Sequence, residues 1–206
     1  MNLELKNIGK RYNFEWIFRK VNQEFAAGEH TVILGSNGSG KSTLLQVIAG
    51  NLTHSEGAIE LSVQSSKIDA DDHYKYVSIA APYLELFEEF TLAESIGFQS
   101  KFKHFRNGLT TEEVVGITGL EKSKDKQLKY FSSGMKQRVR LVLAVLADTP
   151  LLLLDEPTSN LDKKAIDWYQ SLVTSHSNDR LILVASNQQE QEYPFCKRQI
   201  NIEEYK

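Results

Sequence analysis

Two early segments of the chain alternate apolar and polar residues, which is the pattern of a strand with one buried face. They are Leu3–Leu5 and Ile59–Val63. Antiparallel strands of this kind cover a core on one side and meet solvent on the other. Together with the segment before Gly28, they predict an antiparallel β patch near the N-terminus.

Three other segments are short apolar runs without alternation. They are Thr31–Leu34, Leu151–Leu154 and Leu181–Ala185. Strands covered on both faces, as in a parallel sheet between helices, have this composition. Because each run lies beside a turn or helix signal, the predicted fold class is α/β with a parallel sheet.

Helical spacing of apolar residues predicts at least three helices. Ser42–Ala49 forms a buried helix that stops at Gly50, a residue type suited to the position after a helix. A second helix carries Met135, Val139, Val142, Leu143 and Leu146 on one face. A third begins after Asp162, an N-cap residue, with Ile166, Tyr169 and Val173 facing inward.

The middle of the chain has a different pattern and predicts a mostly helical lobe inserted in the α/β core. We place this lobe at approximately residues 84–148, within a single domain of residues 1–206. Phe98, Phe102 and Phe105 recur at helical spacing, and we interpret them as the core of the lobe rather than as a binding stripe.

Composition excludes several classes of protein. The chain has 24 Lys plus Arg against 27 Asp plus Glu, so its net charge of −3 does not suggest a nucleic-acid ligand. Cys196 is the only cysteine and the five histidines have no ligand spacing, which argues against disulfides and zinc. The apolar runs are too short to span a bilayer and the N-terminus has no signal-peptide pattern. We therefore expect a protein of a reducing compartment that is soluble, or held at a membrane only by a partner.

The strongest chemical signal is a phosphate-binding loop. Its sequence is Gly35-Ser36-Asn37-Gly38-Ser39-Gly40-Lys41-Ser42, which matches the P-loop pattern in full. Glycines let backbone N–H groups wrap around phosphates, and the following helix directs its positive end at the same place. We expect Lys41 to neutralise the β- and γ-phosphates of ATP, Ser42 to ligate Mg²⁺ and Thr43 to assist near the α-phosphate.

Two carboxylates follow the leucine run. Asp155 and Glu156 come at the end of the predicted strand Leu151–Leu154, and the carboxyl edge of a parallel sheet is where ligands bind. We expect Asp155 to hold the Mg²⁺ shell, directly or through water, and Glu156 to polarise the attacking water as a general base.

Further motifs make the chain resemble the ATPase subunits of ATP-binding-cassette (ABC) transporters. Phe131-Ser132-Ser133-Gly134-Met135 is similar to the LSGGQ signature of that family, and Ser159-Asn160-Leu161-Asp162 is similar to its D-loop. The resemblance covers nearly the whole chain. It implies that Tyr12 stacks on adenine. It also implies that Ser132, Ser133 and Gly134 face the γ-phosphate held by a second subunit, so that two domains sandwich two ATP molecules.

The chain departs from the family pattern at two polar positions. The family has a glutamine where this chain has Ala80-Ala81-Pro82-Tyr83, and a histidine where it has Asn187. Asparagine can donate a hydrogen bond to a γ-phosphate but carries no charge. The resemblance therefore implies ATP binding with slow hydrolysis by the isolated subunit, and places Asn187 beside Glu156 and Lys41 among the catalytic residues.

The resemblance favours an ATPase that energises an integral membrane transporter subunit and pairs with a second copy or a related ATPase. One alternative is a soluble ABC-type ATPase that works on nucleic acid or ribosomes, or a regulatory ATP-binding module. Such relatives usually carry long coiled coils or two cassettes, which a 206-residue chain without heptads lacks. Another alternative is a small-molecule kinase, which would not explain the signature or the D-loop.

Overall fold

The structure is a computed structural model that describes residues 1–177 and 179–206. Its strands are β1 (Asn2–Tyr12), β2 (Glu15–Ala26), β3 (His30–Leu34), β4 (Glu56–Val63), β5 (Ser66–Lys67), β6 (Val77–Ala80), β7 (Leu151–Asp155), β8 (Leu181–Ser186) and β9 (Arg198–Asn201). Its α-helices are α1 (Lys41–Ile48), α2 (His73–Tyr76), α3 (Leu92–Ser100), α4 (Thr111–Thr118), α5 (Ser133–Val145) and α6 (Lys163–His176). None of the helices in these residues combines the length and apolar character needed to cross a membrane.

The early alternating segments form an antiparallel sheet, as the sequence predicts. Its strand order is β2-β1-β4-β5, and both alternating segments lie within it, paired with each other through Leu3 and Leu61. One face carries Leu3, Leu5 and Ile8, all buried. This apolar face packs into one core with α1 and one face of the parallel sheet.

The continuous apolar runs form a parallel sheet of order β6-β7-β8-β3-β9. Every residue of β7 and β8 is buried, as expected for strands covered on both faces. Because the sheet is parallel, the loops after β3, β7 and β8 leave from one edge. The register pairs Leu34 with Ser186 and Asp155 with Ala185, so these three loops are neighbours.

The helix ends follow their capping residues. Ser132 caps α5 by accepting from the Met135 N–H at 3.3 Å, and Asp162 caps α6 by accepting from the Ala165 N–H at 2.8 Å. A capping oxygen satisfies a backbone N–H that has no partner within the helix. The predicted starts of both helices are therefore confirmed, and Gly50 follows α1 with a positive φ of 77°.

The interpretation of three phenylalanines as the core of the helical lobe is wrong for Phe102. Helix α3 ends at Ser100, so the helical spacing does not continue, and Phe102 is 71% exposed. Phe105 is buried, but it lies beyond the helix, where it pairs with Ala147. Phe98 contacts Phe102 as well as Phe87 and Phe90. These four rings, Phe87, Phe90, Phe98 and Phe102, form an aromatic patch at the surface.

Candidate nucleotide-binding site

The phosphate loop connects β3 to α1 at the carboxyl edge of the parallel sheet. Gly40 stands immediately before α1 with φ 108°, a conformation that side chains rarely adopt. A Cβ at this position would lie 2.7 Å from Ile17 Cγ2 of β2, so the loop also needs the missing side chain for space. The glycine therefore brings the antiparallel sheet and the phosphate loop into direct contact.

Lys41 is buried at the start of α1 and folds back over the loop. Its Nζ donates to the carbonyl oxygen of Gly35 at 3.0 Å and to that of Ser36 at 2.9 Å. The ammonium group thus lies against the loop whose N–H groups suit an anion, at the positive end of the α1 dipole. This is the arrangement that neutralises the phosphates of a bound nucleotide.

Asp155 ends β7 beside the Ser42 hydroxyl. Burial raises the pKa of Asp155 to about 6, and a hydrogen bond from Ser42 partly opposes this effect. The Oδ1 atom is buried and has no hydrogen-bond partner among the described residues. A desolvated carboxylate oxygen beside a hydroxyl is a donor set that suits Mg²⁺. Within residues 1–177 and 179–206 no cluster of three His, Cys, Asp or Glu could hold a metal, so further ligands would come from phosphates and water.

Glu156 follows Asp155 in a left-handed backbone conformation, with φ 42°. Its N–H donates to the Ala185 carbonyl oxygen at 3.0 Å, which extends the β7–β8 ladder by one residue. A non-glycine residue in this conformation is strained, and such strain concentrates at functional sites. The half-buried Glu156 lines a cavity of about 260 Å³. The other lining residues are Asn37, Thr158, Ser159, Asn187, Gln189, Gln191 and Glu192.

The structure therefore brings Glu156 and Asn187 together with Asn37 of the phosphate loop. Asn187 comes one residue after β8 and is half-buried. Thr43 is half-buried in the first turn of α1, next to Ser42. The remaining loop residues Ser36 and Gly38 are exposed, whereas Gly35 and Ser39 are buried. The residues predicted to be catalytic and those predicted to bind phosphate thus meet at one edge of the sheet.

The signature residues lie in a different cavity. Ser132, Ser133 and Gly134 at the start of α5 line a space of about 450 Å³ together with Asn160, Leu161 and Asp162. A Cβ on Gly134 would lie 2.8 Å from the Asn160 carbonyl oxygen, so the close approach of these two segments requires glycine. None of the described residues that line this cavity belongs to the phosphate loop. Within one chain, the signature residues and the phosphate loop, both predicted to bind anions, are therefore separate.

Tyr12 lies at the tip of the β1–β2 hairpin. Its ring is 50% exposed, and the Lys10 Nζ lies 4.9 Å from the ring centroid. An exposed aromatic face beside a cation is compatible with stacking on a base. Its contact with adenine remains a prediction.

Sequence reasoning missed three polar residues near the site. Tyr83 stands in the segment where the family glutamine was sought, and burial together with the Asp155 charge raises its pKa. Glu203 accepts from the N–H of Ser36 at 3.1 Å and from its hydroxyl at 2.5 Å. Glu192 is buried in the cavity that contains Glu156. Only Tyr83 had a signal in the sequence, because it occupies the stretch that lacks the glutamine.

The parallel sheet, the phosphate loop and the strand-end carboxylates define a P-loop nucleoside triphosphatase. The profile of the ABC transporter family matches residues 18–159. The chain belongs to this family, and it is an ABC-type ATP-binding protein and ATPase.

Named relatives align with almost the whole length of this chain. The cytochrome c biogenesis ATP-binding export protein CcmA of Agrobacterium fabrum is 32% identical over 196 residues, which cover 92% of this chain and 90% of CcmA. The spermidine/putrescine import ATP-binding protein PotA of Spiroplasma citri is 30% identical over 194 residues, which cover 91% of this chain and 55% of PotA. The predicted family is therefore confirmed.

Solved structures confirm the fold. The ATP-binding cassette MJ0796, a dimer in a post-hydrolysis state with ADP and Pi, matches with a TM-score of 0.83 and 24% identity. The match covers 97% of this chain and 94% of that one. The predicted fold class, a P-loop core with a parallel and an antiparallel sheet, is thus correct.

Proposed function

We propose that the protein energises an integral membrane transporter subunit by binding and hydrolysing ATP in a sandwich dimer. The separation of the signature cavity from the phosphate loop carries this proposal. Ser132 and the α5 N-terminus form an anion site without a phosphate loop, and Lys41 lies in a loop without the signature. A second copy or a related ATPase, packed head to tail, would complete both sites.

In each composite site, Lys41 and the N–H groups of the loop bind the phosphates, and Ser132, Ser133 and Gly134 of the other subunit cover the γ-phosphate. Ser42 and Asp155 would hold Mg²⁺, which supplies charge neutralisation across the phosphates. Glu156 accepts a proton from the attacking water, whose oxygen bonds to the γ-phosphorus as the bond to ADP breaks. Asn187 donates a hydrogen bond to the γ-phosphate.

The aromatic patch is the surface that we assign to the membrane partner. Phe87 and Phe102 are 60% and 71% exposed, and exposed aromatic rings in one patch are typical of protein contacts. The patch adjoins Glu88, which pairs with Lys136 of α5, the helix that begins at the signature. A partner docked here would hold the ATPase on the cytoplasmic face of the membrane and contact the helix that carries the dimer site.

The Glu156→Gln variant tests this function. It keeps the size and hydrogen bonding of the side chain but removes the base, so ATP should remain bound and hold the dimer together. Light scattering with ATP and Mg²⁺ should report a stable dimer for the variant and a monomer, or a short-lived dimer, for wild type. Exposed Asp167→Asn on α6 is the matched control and should behave as wild type. A variant that stays monomeric at saturating ATP would refute the sandwich.

A further inference from the structure

A second glutamate occupies the cavity that contains Glu156. Glu192 lies in a short 3₁₀ turn, Glu190–Glu192, between β8 and β9. It is 3% exposed, whereas Glu190 in the same turn is exposed to solvent. A buried carboxylate is costly unless hydrogen bonds hold it, so its partners show what it serves.

The contacts of Glu192 connect three elements around the cavity. Its Oε1 accepts from the Thr158 N–H at 3.3 Å and from the Thr158 hydroxyl at 2.9 Å. Its own carbonyl oxygen accepts from the Tyr169 hydroxyl of α6 at 2.7 Å. The main chain is thus anchored to a buried helix residue, while the carboxylate is directed at the segment after β7.

Burial disfavours the charged form of Glu192. Burial raises the pKa of Glu192, and the hydroxyls of Ser186 and Thr158 lower it in part. The other oxygen, Oε2, is buried without a hydrogen-bond partner among the described residues.

Glu192 lies close to the two proposed reactive groups. Thr158, which donates to Glu192, comes two residues after Glu156, and Asn187 lines the same cavity as Glu192. We propose that Glu192 is a positioning residue that holds the segment after β7, and with it Glu156, in place against Asn187 for hydrolysis. This inference rests on the proposed ATPase site, but it adds a residue to which no motif of the family points.

The test compares Glu192→Leu, Glu192→Gln and the exposed neighbour Glu190→Gln. Leucine keeps the volume but leaves the Thr158 donors unpaired, so kcat for phosphate release should fall about 10- to 100-fold through misplacement of the reacting groups. ATP affinity, measured with a fluorescent analogue, should change by less than about twofold because the phosphate loop dominates binding. Glu192→Gln keeps an acceptor for Thr158 and should restore most of the lost kcat. Glu190→Gln should match wild type.

A purely structural role predicts a different result. Glu192→Leu would then lower the melting temperature with an unchanged kcat per folded molecule, and this outcome would overturn the inference. If the leucine variant does not fold, Thr158→Val and Thr158→Ser decide. The valine variant should lower kcat at least about threefold, the serine variant should restore it, and equal rates would overturn the inference.

Wild type and Glu156→Gln are assayed alongside these variants. If wild-type phosphate release does not depend on Glu156, the proposed function itself fails. If it does depend on Glu156 but Glu192→Leu retains the wild-type kcat, only the role of Glu192 fails. The two failures are therefore distinguishable.

Discussion

Replacing Asp155 by asparagine should stabilise the metal-free protein while abolishing the Mg²⁺-dependent hydrolysis that we propose. Asp155 ends β7 with 1% of its surface exposed, and its Oδ1 has no partner among the described residues. A charged carboxylate in this position is unfavourable until a cation binds to it. Asparagine removes the charge and keeps the shape, so it should relieve the cost and lose the ligand.

The magnitude follows from the pKa. Burial raises the pKa of Asp155 from its ordinary value of 3.8 to about 6. Between these values the native state binds more protons than the unfolded state, so the stability contributed by this group falls as the pH rises through the interval. Above pH 6 the full cost is about 3 kcal/mol, at about 1.4 kcal/mol per pKa unit. The amide of asparagine must also be accommodated, so we expect a net gain near 2 kcal/mol.

The measurement is denaturant unfolding of wild type and Asp155→Asn in EDTA, from about pH 4 to pH 7.5. The stability advantage of the variant should be near 2 kcal/mol at the upper pH and should shrink towards pH 4, where Asp155 is protonated in the native state and close to its ordinary pKa of 3.8 in the unfolded state. The difference between the unfolding free energies of the two proteins removes the contributions of the other titrating groups, because both proteins share them. The exposed control Asp167→Asn should show neither effect. A difference that is independent of pH, or a less stable variant at pH 7.5, would refute the argument.

Three further substitutions test separate parts of the site. Lys41→Ala removes the ammonium from the phosphate loop and should weaken the binding of a fluorescent ATP analogue at least about tenfold; unchanged affinity in the folded variant would contradict the loop assignment. Asn187→His should raise steady-state phosphate release about threefold or more, with ATP affinity nearly unchanged, because a histidine donor can carry charge. No gain would mean that another residue stabilises the γ-phosphate. Glu203→Gln removes a negative charge that hydrogen-bonds Ser36, so ATP should bind about twofold more tightly by calorimetry, and weaker binding would argue that Glu203 orders the loop instead.

Much of the fold could be predicted because its signals are local. The uninterrupted apolar runs that form β3, β7 and β8 have the composition typical of strands that are buried on both faces. The starts of α5 and α6 depended on Ser132 and Asp162, whose side chains bond backbone groups three residues away. The phosphate loop was recognisable because its glycines, lysine and serine are consecutive, so backbone geometry alone brings them together.

Residues that depend on distant neighbours could not be predicted in the same way. Phe102 has the spacing of a core residue, but α3 ends at Ser100 and leaves it at the surface. Glu192 lies in a polar stretch that looks solvent-exposed, and only the packing of α6 and the β7 loop encloses it. Glu203 reaches Ser36 across 167 positions of sequence. Composition and short-range spacing determine which elements form, whereas burial and partners of a polar side chain are set by the docking of those elements, which local sequence does not encode.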